Sequence, residues 1–341
     1  MYSSKNRGPW CVCAVLLLLF VVVPTAAALN EFRYAGKLQA TASFFFDLFI
    51  MHFFVVCAVA YFFYVGATLG SFLNVVAYRL PRQQTLLGSS SCPGCDTRIK
   101  MYHNQPIFGW IWLGGRCHNC KMKISIRYLI IECLAATAIG SIAFVELFCD
   151  GINLIEKPRL HLFVFEDMLI NPPWVLIGYF LVHTCLLTIL MTAALIRFQK
   201  DTIPRGLYLF GIVAATVLTI LWPISIAFDI HGNASALHPT ILNNLSSAVV
   251  GALVGLIAAC LFVPTMITHK STAPWSHSYA FILIGFVLGW QSILLVALLC
   301  SLCHLNIRLL KQRLTPEHCL WLATTVAIIA NRHWIALITE Q

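Results

Sequence analysis

Apolar runs long enough to cross a bilayer recur along almost the whole of this chain. They cover about residues 10–28, 41–78, 129–148, 174–196, 207–228, 243–266, 279–308 and 319–338. A membrane helix needs about 20 consecutive, mainly apolar residues. Of the 341 residues, 60% are hydrophobic and 10% charged, where a soluble domain carries about 25% charged residues. The pattern predicts an all-α polytopic membrane protein with about eight transmembrane helices.

The run at 279–308 is too long for one simple helix, and Gly285 and Gly289 predict a break within it. With that break, the basic loops at 197–205, 269–270 and 308–313 fall on one side, as expected if Lys and Arg gather in the cytoplasm. The net charge of +9 therefore speaks first about orientation. Nucleic acid is excluded as a partner, because the basic residues sit in short loops and form no extended stripe. Residues 1–30 read as either a signal peptide or a signal anchor: Lys5 and Arg7 precede the apolar run, and Thr25-Ala26-Ala27-Ala28 closes it.

One long stretch breaks the apolar pattern. After the membrane run at 41–78, residues 79–128 carry Arg79, Arg82, Arg98, Lys100, Arg116, Lys121, Lys123 and Arg127, which places them in the cytoplasm. Within them lie Cys92-Pro93-Gly94-Cys95 and Cys117-His118-Asn119-Cys120. Two Cys-x-x-Cys turns present four sulfurs suited to a tetrahedral zinc ion with no open position, hence a structural site. Four unconnected buried or oxidised thiols are the competing reading, and a disulfide framework is disfavoured on a reducing cytosolic side. His103 and His118 read as loop histidines rather than ligands. Cys57, Cys185, Cys260 and Cys300 lie in apolar runs and read as small buried hydrophobes. Residues 129–341 form the remaining multi-helix membrane domain.

The stretch Gly70-Ser71-Phe72-Leu73-Asn74-Val75-Val76-Ala77-Tyr78-Arg79-Leu80-Pro81 closely resembles the segment that opens the prepilin leader peptidases. The likeness continues through Cys92 and Cys95, Asn104-Gln105-Pro106-Ile107-Phe108-Gly109-Trp110, Cys117 and Cys120, and Ile124-Ser125-Ile126-Arg127-Tyr128 to Glu132. It covers roughly residues 66–136. The resemblance implies an eight-helix protein of the cytoplasmic (inner) membrane; with the 279–308 run split, the apolar runs match that number if residues 10–28 are a cleaved signal and exceed it by one otherwise. It also implies an aspartic endopeptidase that cuts type IV pilin-like precursors and N-methylates the new terminus, with S-adenosylmethionine as methyl donor and roles in pilus assembly or protein secretion. The implied partners are prepilin-like membrane substrates and the lipid bilayer.

The rest of the chain departs from that family where its chemistry should be. The resemblance implies two aspartates at the cytosolic ends of membrane helices. Here Arg197 stands at the first position, within Leu195-Ile196-Arg197-Phe198-Gln199-Lys200-Asp201, and Arg205 follows Pro204. His277 stands at the second, ahead of Leu288-Gly289-Trp290. An aspartic peptidase needs two close carboxyls sharing a proton. Arginine stays protonated and cannot serve as a base.

These replacements predict a pseudoenzyme at the peptidase centre. Asp201 is the one acid near the first motif and the candidate for a displaced catalytic residue. Its bland alternative is a surface carboxylate paired with Lys200 or Arg197. Glu132 and Asp47 lie in or near membrane runs, where ionisable groups are expensive. Asp229 with His231 reads as an outer loop. Three functions stay open: a peptidase with a displaced acid pair, a member that retains methylation or pilin binding alone, and a non-catalytic membrane scaffold or assembly partner.

Overall fold

The structure is a computed structural model, and it describes residues 16–34, 42–149, 151–154, 172–221, 241–266, 275–309 and 315–339. The described residues are helical or in loops and contain no strand, only two isolated bridges. A π-helical turn at Leu18–Val22 leads into α1 (Val23–Tyr34). Then come α2 (Ala42–Arg79), the short α3 (Phe108–Trp112), and α4 (Arg127–Ala143), which ends in a second π-helical turn at Phe144–Phe148. The remaining helices are α5 (Trp174–Phe198), α6 (Arg205–Leu221), α7 (Ile241–Met266), α8 (Trp275–Leu309) and α9 (Pro316–Thr339).

Among the described residues, four helical stretches are long and apolar enough to cross a membrane: Ser43–Arg82, Arg127–Phe148, Trp174–Phe198 and His277–Asn306. Shorter apolar helices run over Arg205–Leu221 and Ala248–Phe262. The break expected in the 279–308 run is present. Gly289 adopts φ 79°, ψ 173°, and divides α8 at a kink. Positive φ is cheap only for glycine, which is why the kink falls there.

The residues divide into two compact units. In the first, the part of α2 up to Gly70 packs on α4. Gly66 and Gly70 lie against the backbone of Ala135, Ala136 and Glu132, and Gly140 lies against the Phe63 ring. Small residues let membrane helices approach closely where no hydrophobic driving force joins them. The polar module between these helices is built from tight turns.

The second unit holds α5 to α9. Its tightest seam joins α7 and α8, where Gly251 faces the Gly285 backbone and Gly255 faces that of Phe281. A side chain at Gly251 would collide with the Gly285 carbonyl. The inner faces of α5 and α8 supply much of the core, with Leu186, Leu187, Ile196, Leu283, Ile284 and Ile293 fully enclosed. Of the membrane cysteines read as buried, only Cys300 is. Cys57 and Cys185 are partly exposed and Cys260 lies on the helix surface. In a bilayer that surface meets lipid, so a thiol there needs no protein cover.

Candidate functional site

The four paired cysteines converge. Their sulfurs lie within 4.8 Å of one another, and these are the sole His/Cys/Asp/Glu group of metal-ligand geometry among the described residues. Local turns do the positioning. Cys95 N and Asp96 N both donate to the Cys92 carbonyl, at 3.4 and 2.8 Å, and Lys121 N donates to the Cys117 carbonyl at 3.1 Å. Each turn is closed by a residue of positive φ just after its second cysteine, Asp96 (47°) and Lys121 (59°). The bridges Ser91–Arg98 and Arg116–Lys123 tie the flanks of each turn.

Cys92 Sγ lies 3.7 Å from Cys120 Sγ, and Cys95 Sγ lies 4.0 Å from Cys117 Sγ. A tetrahedral ion with metal–sulfur bonds of about 2.3 Å sets its sulfurs roughly 3.8 Å apart. The cluster therefore fits a bound metal of zinc's size and geometry. Side-chain and backbone hydrogen bonds from Thr97, then one from Asn119, draw the Cys95 thiol down to about 6. Backbone amides of Cys120 and Asn119 lower Cys117 as well. At Cys120 the Met122 backbone amide also pulls downward, but lost hydration and the three neighbouring thiols outweigh it and push that thiol up to about 11. His103 and His118 stack loosely at 4.7 Å and are not in the ligand group.

A second cluster lies in the α5–α9 unit. Arg197, at the end of α5, donates from Nε to Glu317 Oε1 at 2.9 Å. His277 Nε2, near the start of α8, lies 3.4 Å from the same oxygen. Glu317 and His277 are buried and Arg197 nearly so. Tyr208 from α6 is 2% exposed and lies within electrostatic range of Glu317 and Arg197. The fold thus gathers Arg197 and His277 around one carboxylate that sequence reading missed.

Glu317 follows Pro316 in the first turn of α9. Proline at that position and an acid in the first turn are ordinary helix-start features. Nothing local to Glu317 marks it as a site residue, and only the tertiary fold brings it to positions 197 and 277.

Asp201 does not join this cluster. Its carboxylate pairs with Arg82 Nη1 at 3.0 Å, not with Lys200 or Arg197. Arg82 Nη1 also donates to the Tyr78 carbonyl at 2.6 Å, and the guanidinium lies 4.2 Å from the Tyr78 ring centre. Neighbouring Arg79 caps the chain that follows by donating to the Thr85 carbonyl at 3.1 Å. Glu132 is buried, and its Oε2 accepts the Ile107 N–H at 2.7 Å. Asp47 lies in the first turns of α2, while Asp229 and His231 lie outside the described residues.

Comparison with known proteins agrees with the likeness of the polar module. Residues 64–146 match the family model described as the bacterial peptidase A24 N-terminal domain. The resemblance extends well beyond that segment. A prepilin leader peptidase/N-methyltransferase of Pectobacterium carotovorum subsp. carotovorum is 25% identical over 297 residues, 80% of this chain and 88% of the relative. One of Dickeya chrysanthemi is 29% identical over 276 residues, 73% of this chain and 81% of the relative. One of Vibrio cholerae is 42% identical over 77 residues, 20% of this chain and 30% of the relative. The chain resembles the prepilin leader peptidase/N-methyltransferase family along most of its length. No solved structure matches.

Proposed function

We propose that this chain is an inner-membrane protein of eight membrane helices that engages type IV prepilin-like proteins at the cytoplasmic face, without cutting them by two-aspartate chemistry. The observation that carries this reading is the shared oxygen of Glu317, bonded to Arg197 and faced by His277. In the proposed alignment, a cation and an imidazole stand where the acid pair would be. The one carboxylate among them is engaged by the guanidinium. A peptidase of this type divides acid and base roles between two carboxyls. Among the described residues, Glu317 is the carboxylate that Arg197 and His277 share, and Asp201 is held by Arg82.

In this reading residues 1–30 are the signal or anchor and 41–78 a membrane helix. Residues 79–128 are a cytoplasmic module held by zinc on Cys92, Cys95, Cys117 and Cys120, and 129–341 are a membrane domain like the peptidase domain of the relatives. Zinc would cross-link the two turns of a module with little core of its own, so metal binding carries much of its folding.

Methylation would need S-adenosylmethionine, which the names of the relatives suggest. Two measurements on the purified full chain test the reading. Co-expression with a prepilin-like protein should yield a complex that holds the uncleaved precursor; failure to retain any precursor would overturn it. Calorimetric binding of S-adenosylmethionine separates a retained methyltransferase from a scaffold.

A further inference from the structure

The segment Gln105–Leu113 sits beside the membrane helices rather than beyond their ends. Ile107 N–H donates to Glu132 Oε2 at 2.7 Å, and Glu132 lies about 7 Å into α4 from Arg127. Gln105 Oε1 accepts the Tyr64 hydroxyl at 2.5 Å, which holds the segment against α2. α2 and α4 are paired at this level, since Gly70 rests on Glu132 and Ala135, and Gly66 on Ala135 and Ala136. Both belong to stretches long and apolar enough to span a bilayer. The loop therefore descends along helices whose outer faces meet lipid.

Its chemistry suits that depth. Backbone groups in a bilayer must be satisfied within the protein. Gly109 N donates to Gln105 O at 2.7 Å, Ile111 N to Ile107 O at 3.2 Å, and Leu113 N to Gly109 O at 3.1 Å. Ile107 takes φ 64°, ψ −57°, a conformation that a β-branched residue rarely adopts. Glu132 accepts the amide turned out by that strained residue. The buried acid of α4 and the irregular backbone thus account for each other.

The side chains of α3 divide into two faces. Trp110 Nε1 donates to the Ile124 carbonyl at 3.3 Å, and its ring lies against Gly115. Trp112, two residues on, is 60% exposed and touches Phe108 at 5.9 Å. The exposed cations Lys100 and Arg116 flank the segment, with Lys100 over the Tyr102 ring. Tryptophan on an apolar surface bordered by cations is the composition of a membrane interface.

We propose that Gln105–Leu113 is an interfacial membrane element, with Trp112 seated in the headgroup and upper acyl region of the bilayer that α2 and α4 cross. This inference needs the membrane helices alone and does not depend on any pilin substrate. The test replaces Trp112 by the photoreactive p-benzoylphenylalanine in the full chain. The protein is reconstituted in nanodiscs of phosphatidylethanolamine and phosphatidylglycerol and irradiated, and adducts are read by mass spectrometry. A parallel variant carries the same residue at the exposed Asp96, on the cysteine turn. The expected result is a phospholipid adduct at 112 and at least tenfold less at 96. Absence of a lipid adduct at 112, equal adducts at both positions, or cross-linking of 112 to protein instead would each overturn the proposal.

Discussion

Arg197 donates through Nε to Glu317 Oε1 at 2.9 Å, joining residues 120 positions apart in sequence. Because the carboxylate is 3% exposed, it is taken out of water and depends on its partners for stabilisation. Removing one side of such a pair costs about 3–5 kcal/mol, because the other charge stays buried and unpaired. Glu317→Ala should therefore lower the unfolding temperature sharply in detergent solution, and Arg197→Met should do the same. Combining Arg197→Met with Glu317→Leu should recover most of the loss.

The Arg82–Asp201 pair should behave differently. Both side chains are about a third exposed, and exposed pairs contribute roughly 0–1 kcal/mol. Asp201→Asn should leave the unfolding temperature within a degree or two of the parent. A loss as large as that of Glu317→Ala would mean that Asp201 has a role this geometry does not show.

The two ends of the cysteine cluster should differ in reactivity immediately after metal is stripped, while the turns that hold Cys95 and Cys120 persist. Cys95 is drawn down to about 6 and Cys120 pushed up to about 11. The thiolate is the reactive form. At pH 7.5 iodoacetamide should label Cys95 far ahead of Cys120. Lowering the pH through 6 should slow labelling of Cys95, because its thiolate is being protonated. Raising the pH above 7.5 should accelerate Cys120 while leaving Cys95 almost unchanged. Peptide mass mapping at several pH values reads both. Bound metal should protect both residues, and a Cys117→Ser variant should lose that protection.

Close packing of α7 on α8 gives a steric prediction. A side chain at Gly251 meets the Gly285 carbonyl, which is backbone and cannot swing aside, whereas at Gly206 nothing lies within 4 Å. Gly251→Leu should abolish or greatly reduce recovery of folded protein, and Gly206→Ala should be neutral. Both are read by monodispersity on size exclusion.

Much of this molecule could be read from local sequence. The cysteine turns were legible because each is a four-residue motif whose geometry is set by its own hydrogen bonds. The kink at Gly289 was legible because the apolar run was too long and glycine tolerates the needed φ. Glu317 was not legible: a glutamate after a proline at a helix start has an ordinary local explanation, and its partners come from α5 and α8. The role of Glu132 was half legible. Its place in a membrane run marked it, but the amide it accepts belongs to Ile107, turned out by a strained φ that no local pattern announces. The partner of Asp201 was misjudged because sequence neighbours were favoured over Arg82, which only folding brings near.

The central claim concerns cleavage, and the most direct test is an assay of leader removal by the purified full-length chain in lipid or detergent, against a panel of prepilin-like substrates. The account predicts that the leader stays attached in every case. It also predicts that any peptidase geometry left in the scaffold would need Arg197→Asp and His277→Asp together with Glu317→Gln, since a third carboxylate would crowd the restored pair. Robust cleavage by the unmodified chain, abolished by Asp201→Asn or by Glu317→Gln, would contradict the account and show that a catalytic acid pair has been rebuilt from those residues.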